Sequence, residues 1–380
     1  MIPSKTLRSF YRVGCAPSLI QIKCASTKGA VDGRNGGGGL RAREIPWSNQ
    51  PMKCWPVLIT ALLTALTLIA ACAPNARAAN PPIAQVALAG GKTLSYFASQ
   101  PPNPTPVSAL IVIAGYPRDA NRTFSAAALG AALDGKTSSP LIIAPIFQVP
   151  RAEAARFCHF PGMPNPTATN ALWHCGTWLS GAPALNTPVT AFGALNALIN
   201  QTLRRYPSVR TITIAGFSAG AQFTQRYAAF AAAPSRPVRE RFVIADPSAF
   251  LYFNRTRPHP HPRSCPTYND WKFGTANLPS YLGRSAAAAR MAYAAANIHY
   301  LEAAHDHGTG KGTAYRLLEK NCAAETQGRY RLGRGIAYAA YDQHDLAHGR
   351  HRLTIIPGCA HNVRCVFTAK EAAPALFGQP

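Results

Sequence analysis

The hydrophobic pattern alternates between short runs of Val, Ile, Leu and Ala and longer stretches with helical periodicity. The short runs predict β-strands near residues 84–89, 93–98, 109–114, 141–146, 211–217, 241–245, 298–304 and 352–356. The longer stretches predict helices near residues 124–133, 191–205 and 219–231. Strands that alternate with helices predict an α/β fold: a mostly parallel sheet with helices on both faces. The Pro- and aromatic-rich segment 248–281 fits neither pattern, so we expect an inserted loop or small cap there.

The segment Gly-Phe-Ser-Ala-Gly at 216–220 joins a predicted strand to a predicted helix. This order predicts a sharp turn that presents Ser218 outward, with glycines where side chains would collide with strand and helix. The backbone N–H of Ala219, in the first helical turn, would point to where an oxyanion forms. The short motif alone is a weak signal in a chain rich in small residues. Together with its strand and helix, it makes Ser218 the predicted nucleophile.

A nucleophilic serine of this type needs an acid and a histidine, in that chain order, each just after a strand. His361 follows the last predicted strand and is the predicted general base. Asp306 follows the preceding strand and is the predicted acid, with Asp246, one strand earlier, left open as the alternative. His361 would take the Ser218 proton and pass it to the leaving group, while Asp306 would orient and stabilise the imidazolium.

The loop after the predicted strand 109–114 is the candidate for the second oxyanion donor. It begins Gly115-Tyr116-Pro117. Proline has no N–H to donate, so the backbone N–H of Tyr116 is the predicted partner of Ala219 in an oxyanion hole.

Residues 107–377 resemble the α/β-hydrolase superfamily, and within it secreted bacterial serine esterases and polyhydroxyalkanoate-depolymerase-like hydrolases. The resemblance is carried by these segments: Gly115 with 118–120, 216–222, Asp306, Pro357-Gly358 before His361, 173–178 and 265–272. One departure is Ala114-Gly115, where the family often has His-Gly. The resemblance implies a serine hydrolase that cleaves small or polymeric carboxylic esters through an acyl-enzyme, without a cofactor. A serine peptidase and a catalytically inactive, envelope-attached binding protein of the same fold are the alternatives.

The residues before 80 have the character of a leader. Met52-Lys53 precedes an uncharged apolar run at 54–71, which is typical of a signal peptide, so 52–79 is the predicted signal peptide. Residues 1–51 lack periodic apolar positions and are interpreted as a mis-assigned start or a disordered leader. The catalytic domain is then 80–380.

Two processing patterns stay open in this leader. Residues 68–72 resemble a lipobox that would lipidate Cys72, whereas Ala-Arg-Ala at 76–78 fits ordinary signal peptidase cleavage. An uncleaved membrane anchor is the competing interpretation of the apolar run. We expect an exported protein: periplasmic, an outer membrane lipoprotein or secreted.

Six cysteines follow the leader: Cys158, Cys175, Cys265, Cys322, Cys359 and Cys365. An even count in an exported domain predicts disulfides, although six cysteines allow 15 pairings and the count does not choose among them. The expected pairs are Cys158 with Cys175, Cys265 with Cys322, and Cys359 with Cys365. The last would close a small loop around His361.

The chain is strongly basic, with a formal net charge of +24. Residues 73–380 still hold 30 Lys and Arg against 13 Asp and Glu. Such a surface favours anionic partners, but no nucleic-acid-binding motif organises the dispersed charges, so no nucleic acid partner is expected.

His344, His348 and His351 share helical spacing without the carboxylates typical of a catalytic metal site. No metal is expected.

Overall fold

The computed structural model describes residues 81–99, 105–135, 139–156, 158, 160–259 and 264–378. All of them belong to the unit Ala76–Pro380. The predicted leader 1–51 and signal peptide 52–79, with Cys72, lie outside the described residues. Within the described ranges, no helix has the length and apolar character that a bilayer span requires.

Ten strands are present in the described chain: β1 Ile83–Ala87, β2 Thr93–Ala98, β3 Ser108–Ile113, β4 Leu141–Ile146, β5 Pro183–Ala184, β6 Thr187–Thr190, β7 Thr211–Phe217, β8 Arg239–Ala245, β9 Ile298–Ala303 and β10 Arg352–Ile356. Eight form one sheet in the spatial order β1-β2-β4-β3-β7-β8-β9-β10. β2 runs antiparallel to β1 and β4, and all other neighbours are parallel. The predicted mostly parallel sheet is confirmed. β5 and β6 form a separate small hairpin.

The helices of the described chain are α1 Ala120–Asp134, α2 Arg151–Arg156, α3 Ala191–Arg205, α4 Ala219–Phe230, α5 Ala286–Ala295, α6 Cys322–Glu325, α7 Arg331–Asp345, α8 Val363–Thr368 and α9 Ala373–Phe377. α1 begins at Ala120 rather than at the predicted residue 124. Its first turn buries Ala120 and Thr123, but the polar Asn121 and Arg122 between them interrupt the apolar pattern.

The helices cover both faces of the sheet, as the sequence predicts. In β3, Leu110 and Val112 face one buried cluster and Ile111 and Ile113 the other, because successive strand side chains alternate. The first cluster includes residues of α1, α8 and α9, and the second includes residues of α3, α4 and α5. Burial on both faces explains why the central strands are almost continuously apolar.

The segment 248–281 is largely irregular, with one short 3-10 turn at Ser280–Leu282 in its described part. Its residues Cys265, Tyr268 and Phe273 pack with Ala323 and Ala324 of α6. The insertion therefore does not stand alone as a cap. It packs with the chain that precedes α7.

Candidate active site

The turn between β7 and α4 has the geometry of a nucleophile elbow. Ser218 has φ 57° and ψ −116°, a strained conformation of the kind found at functional sites. A Cβ on Gly216 would lie 2.0 Å from the carbonyl oxygen of Gly220, and a Cβ on Gly220 would lie 2.1 Å from that of Ile113. Because neither position has room for a side chain, the helix can begin directly against the sheet beside Ser218.

Ser218, His361 and Asp306 form one continuous hydrogen-bonded chain. Ser218 Oγ lies 2.9 Å from His361 Nε2, and His361 Nδ1 lies 2.6 Å from Asp306 Oδ2. They follow the carboxyl ends of β7, β10 and β9, which parallel pairing places at one edge of the sheet. The arrangement can move a proton from the serine hydroxyl to the imidazole while the carboxylate holds the ring.

The surroundings of His361 favour its neutral form. Burial lowers the pKa of His361, and the nearby positive charge of Arg331 lowers it further. The hydrogen bond to Asp306 raises this pKa, but the net shift is downward. Its side chain is only 6% exposed. A neutral imidazole has the free lone pair that a general base needs.

Tyr116 and Ala219 line the same cleft as Ser218. Ala219 is the first residue of α4, so its N–H has no acceptor within the helix. The loop that carries Tyr116 is held by the buried Arg118, which donates to the carbonyl oxygens of Cys158 and Phe147. The backbone at both positions is thus fixed beside the serine.

The alternative acid, Asp246, is not the hydrogen-bond partner of His361. Its Oδ1 accepts from the backbone N–H of Ala303 at 2.8 Å, whereas Asp306 bonds to His361 directly. Asp246 nevertheless lies close by: one oxygen of each aspartate and one His361 nitrogen all lie within 4.8 Å of one another. The geometry therefore favours Asp306 as the acid.

A carboxyl-rich group surrounds Asp306; we call Asp246, Glu302, Asp306 and Arg331 the acid cluster, and all four residues are at most 2% exposed. Arg331 Nη1 lies 3.3 Å from Asp306 Oδ1 and donates to the carbonyl oxygen of Thr313. Burial, followed by the neighbouring carboxylates, raises the pKa of both Asp246 and Glu302. No N–H or hydroxyl group of the described residues donates to either oxygen of Glu302. The carboxyl groups of Asp246 and Glu302 lie within hydrogen-bonding reach of each other. Two carboxyl groups can form such a bond only if one of them holds a proton.

Three side chains of the kind that bind metals lie close enough together to hold a metal ion: Asp246, Asp306 and His361. The donor set fits a cation poorly. His361 Nδ1 and Asp306 Oδ2 already bond to each other, and the Arg331 guanidinium places a positive charge beside them.

The cleft at Ser218 has a volume of about 350 Å³. Its lining residues are Tyr116, Leu179, Ser218, Ala219, Gln222, Ser248, Leu317, Glu319, Lys320 and Asn321. Of the described residues in the predicted insertion 248–281, Ser248 alone lines the cleft. The wall from 317 to 321 lies between β9 and α7 and was not predicted, because irregular chain gives no periodic signal.

All three expected disulfides are present: Cys158–Cys175, Cys265–Cys322 and Cys359–Cys365. Cys359–Cys365 brackets His361 in the loop between β10 and α8. His361 also donates its backbone N–H to the carbonyl oxygen of Gly312. The histidine is therefore held by covalent and hydrogen-bond restraints.

No family model and no curated protein matches this sequence. The chain is similar in structure to the poly(3-hydroxybutyrate) depolymerase LpqC from Bordetella parapertussis, with a TM-score of 0.51, 17% identity, and coverage of 74% of this chain and 84% of that one. It is also similar to poly(aspartic acid) hydrolase-1 from Sphingomonas sp. KT-1, with a TM-score of 0.49, 20% identity, and coverage of 76% and 96%.

At such identities, likeness is informative about fold and not about activity. The chain itself has an eight-stranded, mostly parallel sheet, an elbow after β7 and helices on both faces of the sheet. The described part of the chain therefore has the α/β-hydrolase fold, as its resemblance to that superfamily implied.

Proposed function

We propose that this protein is an exported serine hydrolase that cleaves carboxylic esters. The observation that carries the proposal is the hydrogen-bonded chain from Ser218 through His361 to Asp306, open to a cleft. A nucleophile, a base within hydrogen-bonding distance and a group that orients the base are the parts that acyl transfer needs.

In the first step, Ser218 Oγ attacks the ester carbonyl carbon as His361 Nε2 takes its proton. The new C–O bond makes a tetrahedral intermediate, whose oxyanion accepts hydrogen bonds from the N–H groups of Tyr116 and Ala219. The intermediate collapses, the bond to the leaving alcohol breaks, and His361 returns the proton to that alcohol. The acyl group stays on Ser218.

In the second step, water replaces the alcohol. His361 takes a proton from the water as its oxygen attacks the acyl carbon, and the same two N–H groups hold the oxyanion. The bond to Ser218 Oγ then breaks, and His361 gives the proton back to the serine. The products are a carboxylic acid and the original enzyme.

Export is supported by the three disulfides, since such bonds persist in oxidising compartments. The periplasm, the outer membrane through a lipid on Cys72, and the medium remain the proposed destinations. A polyester is one proposed substrate, because LpqC is a poly(3-hydroxybutyrate) depolymerase of the same fold.

The proposal is tested by the hydrolysis of 4-nitrophenyl esters of increasing acyl length by the purified protein and by Ser218→Ala. We expect turnover in the wild type and a loss of about 10⁴-fold or more in the variant. A wild-type protein inert toward every ester would favour the alternative of an inactive binding protein. Activity retained in the variant would exclude Ser218 as the nucleophile.

A further inference from the structure

The wall of the cleft holds an unbalanced set of charges. We call Arg226, Lys272, Glu319 and Lys320 the basic wall: Glu319 and Lys320 line the cleft directly, and the other two lie behind them. Lys272 Nζ pairs with Glu319 Oε2 at 3.1 Å. The basic wall therefore contains three cations and a single carboxylate, and that carboxylate is already paired with Lys272.

Arg226 is the most unusual member, because it is fully buried. Within the described ranges its guanidinium donates to two groups, both neutral: the Leu179 carbonyl oxygen and Gln222 Oε1, each at 3.0 Å. Among the described residues, no carboxylate lies within ion-pair distance of it. Burial lowers the pKa of Arg226 to about 10, so it stays charged at neutral pH. Glu319 favours the charged form of Arg226 from beyond ion-pair distance. A buried charge without a direct ion-pair partner is costly, and a ligand anion would reduce that cost.

Gln222 connects this charge to the cleft. It follows Ser218 by one helical turn and lines the cleft, and its Oε1 accepts from Arg226. Because arginine can only donate, this bond fixes the oxygen on the Arg226 side and leaves the amide N–H groups as donors. Lys320, which also lines the cleft, adds a cation. Its Nζ donates to the Tyr315 carbonyl oxygen at 3.3 Å and lies over the Tyr315 ring.

We propose that the cleft binds esters that carry a carboxylate, with Lys320 and the Gln222 amide contacting the anion and Arg226 and Lys272 supplying positive charge behind them. The proposal rests on the serine hydrolase function above and names its substrate class. A neutral aliphatic chain would leave the surplus charge of the wall unbalanced, whereas a carboxylate would neutralise part of it.

The test compares two matched substrate pairs at pH 7.5. In one pair the acyl end differs: 4-nitrophenyl hydrogen adipate against 4-nitrophenyl hexanoate. In the other the alcohol end differs: the butyrate esters of 4-hydroxybenzoate and of 4-hydroxybenzamide. We expect kcat/KM to be about tenfold or more higher for the anionic member of at least one pair, and the ratio to fall with added salt.

Two variants locate the preference. Lys320→Glu reverses the rim charge, and Gln222→Glu places a carboxylate against Arg226; both should lower the anionic-to-neutral ratio. Lys370→Glu, an equal charge change at an exposed residue outside the cleft, should leave the ratio unchanged. Gln222→Met is the control for loss of the amide, since it removes the amide without adding a charge. If the Arg226 charge contributes, Gln222→Met should lower the ratio less than Gln222→Glu does.

A neutral preference in both pairs, or a ratio that neither variant changes, would overturn the proposal. If a fluorophosphonate labels Ser218 but all four esters are inert, the substrate class is wrong while the serine hydrolase function stands. If Ser218 is also unlabelled, the proposed function fails and this inference fails with it.

Discussion

The acid cluster contacts His361, whereas the basic wall borders the cleft at Ser218, and the two groups are opposite in charge balance. The acid cluster has three carboxyl groups and one guanidinium. The basic wall has three cations and one carboxylate. Both contain fully buried groups, so both must limit the cost of uncompensated charge.

The acid cluster and the basic wall limit the cost of buried charge in different ways. A buried carboxyl can hold a proton, and the raised pKa values of Asp246 and Glu302 show that burial and their neighbours favour this form. Arginine keeps its proton in proteins. The acid cluster can therefore balance itself internally, whereas the basic wall keeps a surplus of positive charge, which the proposed anionic substrate would reduce. The first suits a site that orients a catalytic base, and the second suits a site that binds substrate.

The largest expected effect separates the two aspartates of the acid cluster. Asp306→Asn should lower kcat/KM by roughly 10⁴-fold, because the imidazole loses its oriented tautomer and its countercharge. Asp246→Asn should cost far less, since Asp246 bonds to the Ala303 backbone and not to His361. Steady-state ester hydrolysis checks both variants. Equal losses, or a larger loss for Asp246→Asn, would make Asp246 the acid after all.

The second prediction removes the cation of the acid cluster. Arg331→Met should lower the free energy of unfolding by about 3–5 kcal/mol, because it leaves Asp306 without its buried partner. Arg331 lowers the pKa of His361, so in the variant that pKa should rise and the acid limb of kcat/KM should move to higher pH. Denaturant titration and a pH profile measure the two effects.

Arg331→Lys is the matched control, since it keeps the charge. It should preserve the pH limb even if it loses part of the stability. A Met variant whose pH limb does not move would show that Arg331 stabilises the fold without acting on His361.

The smallest effect concerns the proton held by the acid cluster. Because the folded pKa of Glu302 is raised, its contribution to stability is fully present below about pH 4 and is lost as pH rises toward the folded pKa. The side chain introduced by Glu302→Gln cannot ionise. Between pH 4.5 and pH 8 the free energy of unfolding should therefore fall less in the variant than in the wild type, and the two falls should differ by on the order of 1 kcal/mol. Denaturant titrations at both pH values test this. Parallel curves for the two proteins would contradict a buried proton at Glu302.

The sequence was informative where function depends on local order along the chain. Ser218 follows from a strand, a tight turn and a helix, and Asp306 and His361 follow from their positions after the last two strands; the structure brings all three together. The strands could be predicted for a similar reason, from short apolar runs. The even cysteine count predicted that disulfides form, but it did not choose among the possible pairings. These signals need no knowledge of distant contacts.

The charged surroundings could not be predicted in that way. Arg331 meets Asp306 across 25 residues, and Arg226 meets Leu179 across 47. Glu302 lies within an apolar strand, where nothing local distinguishes a surface carboxylate from a buried one. Such pairings depend on how irregular segments pack against the sheet, which periodicity does not report.

The most direct test of the central claim is to map the adduct of a fluorophosphonate probe on the purified protein by peptide mass spectrometry. Labelling requires an activated serine, so we predict one adduct, on Ser218, and its loss in His361→Ala. No adduct in the wild type, or an adduct on another serine, would contradict the account.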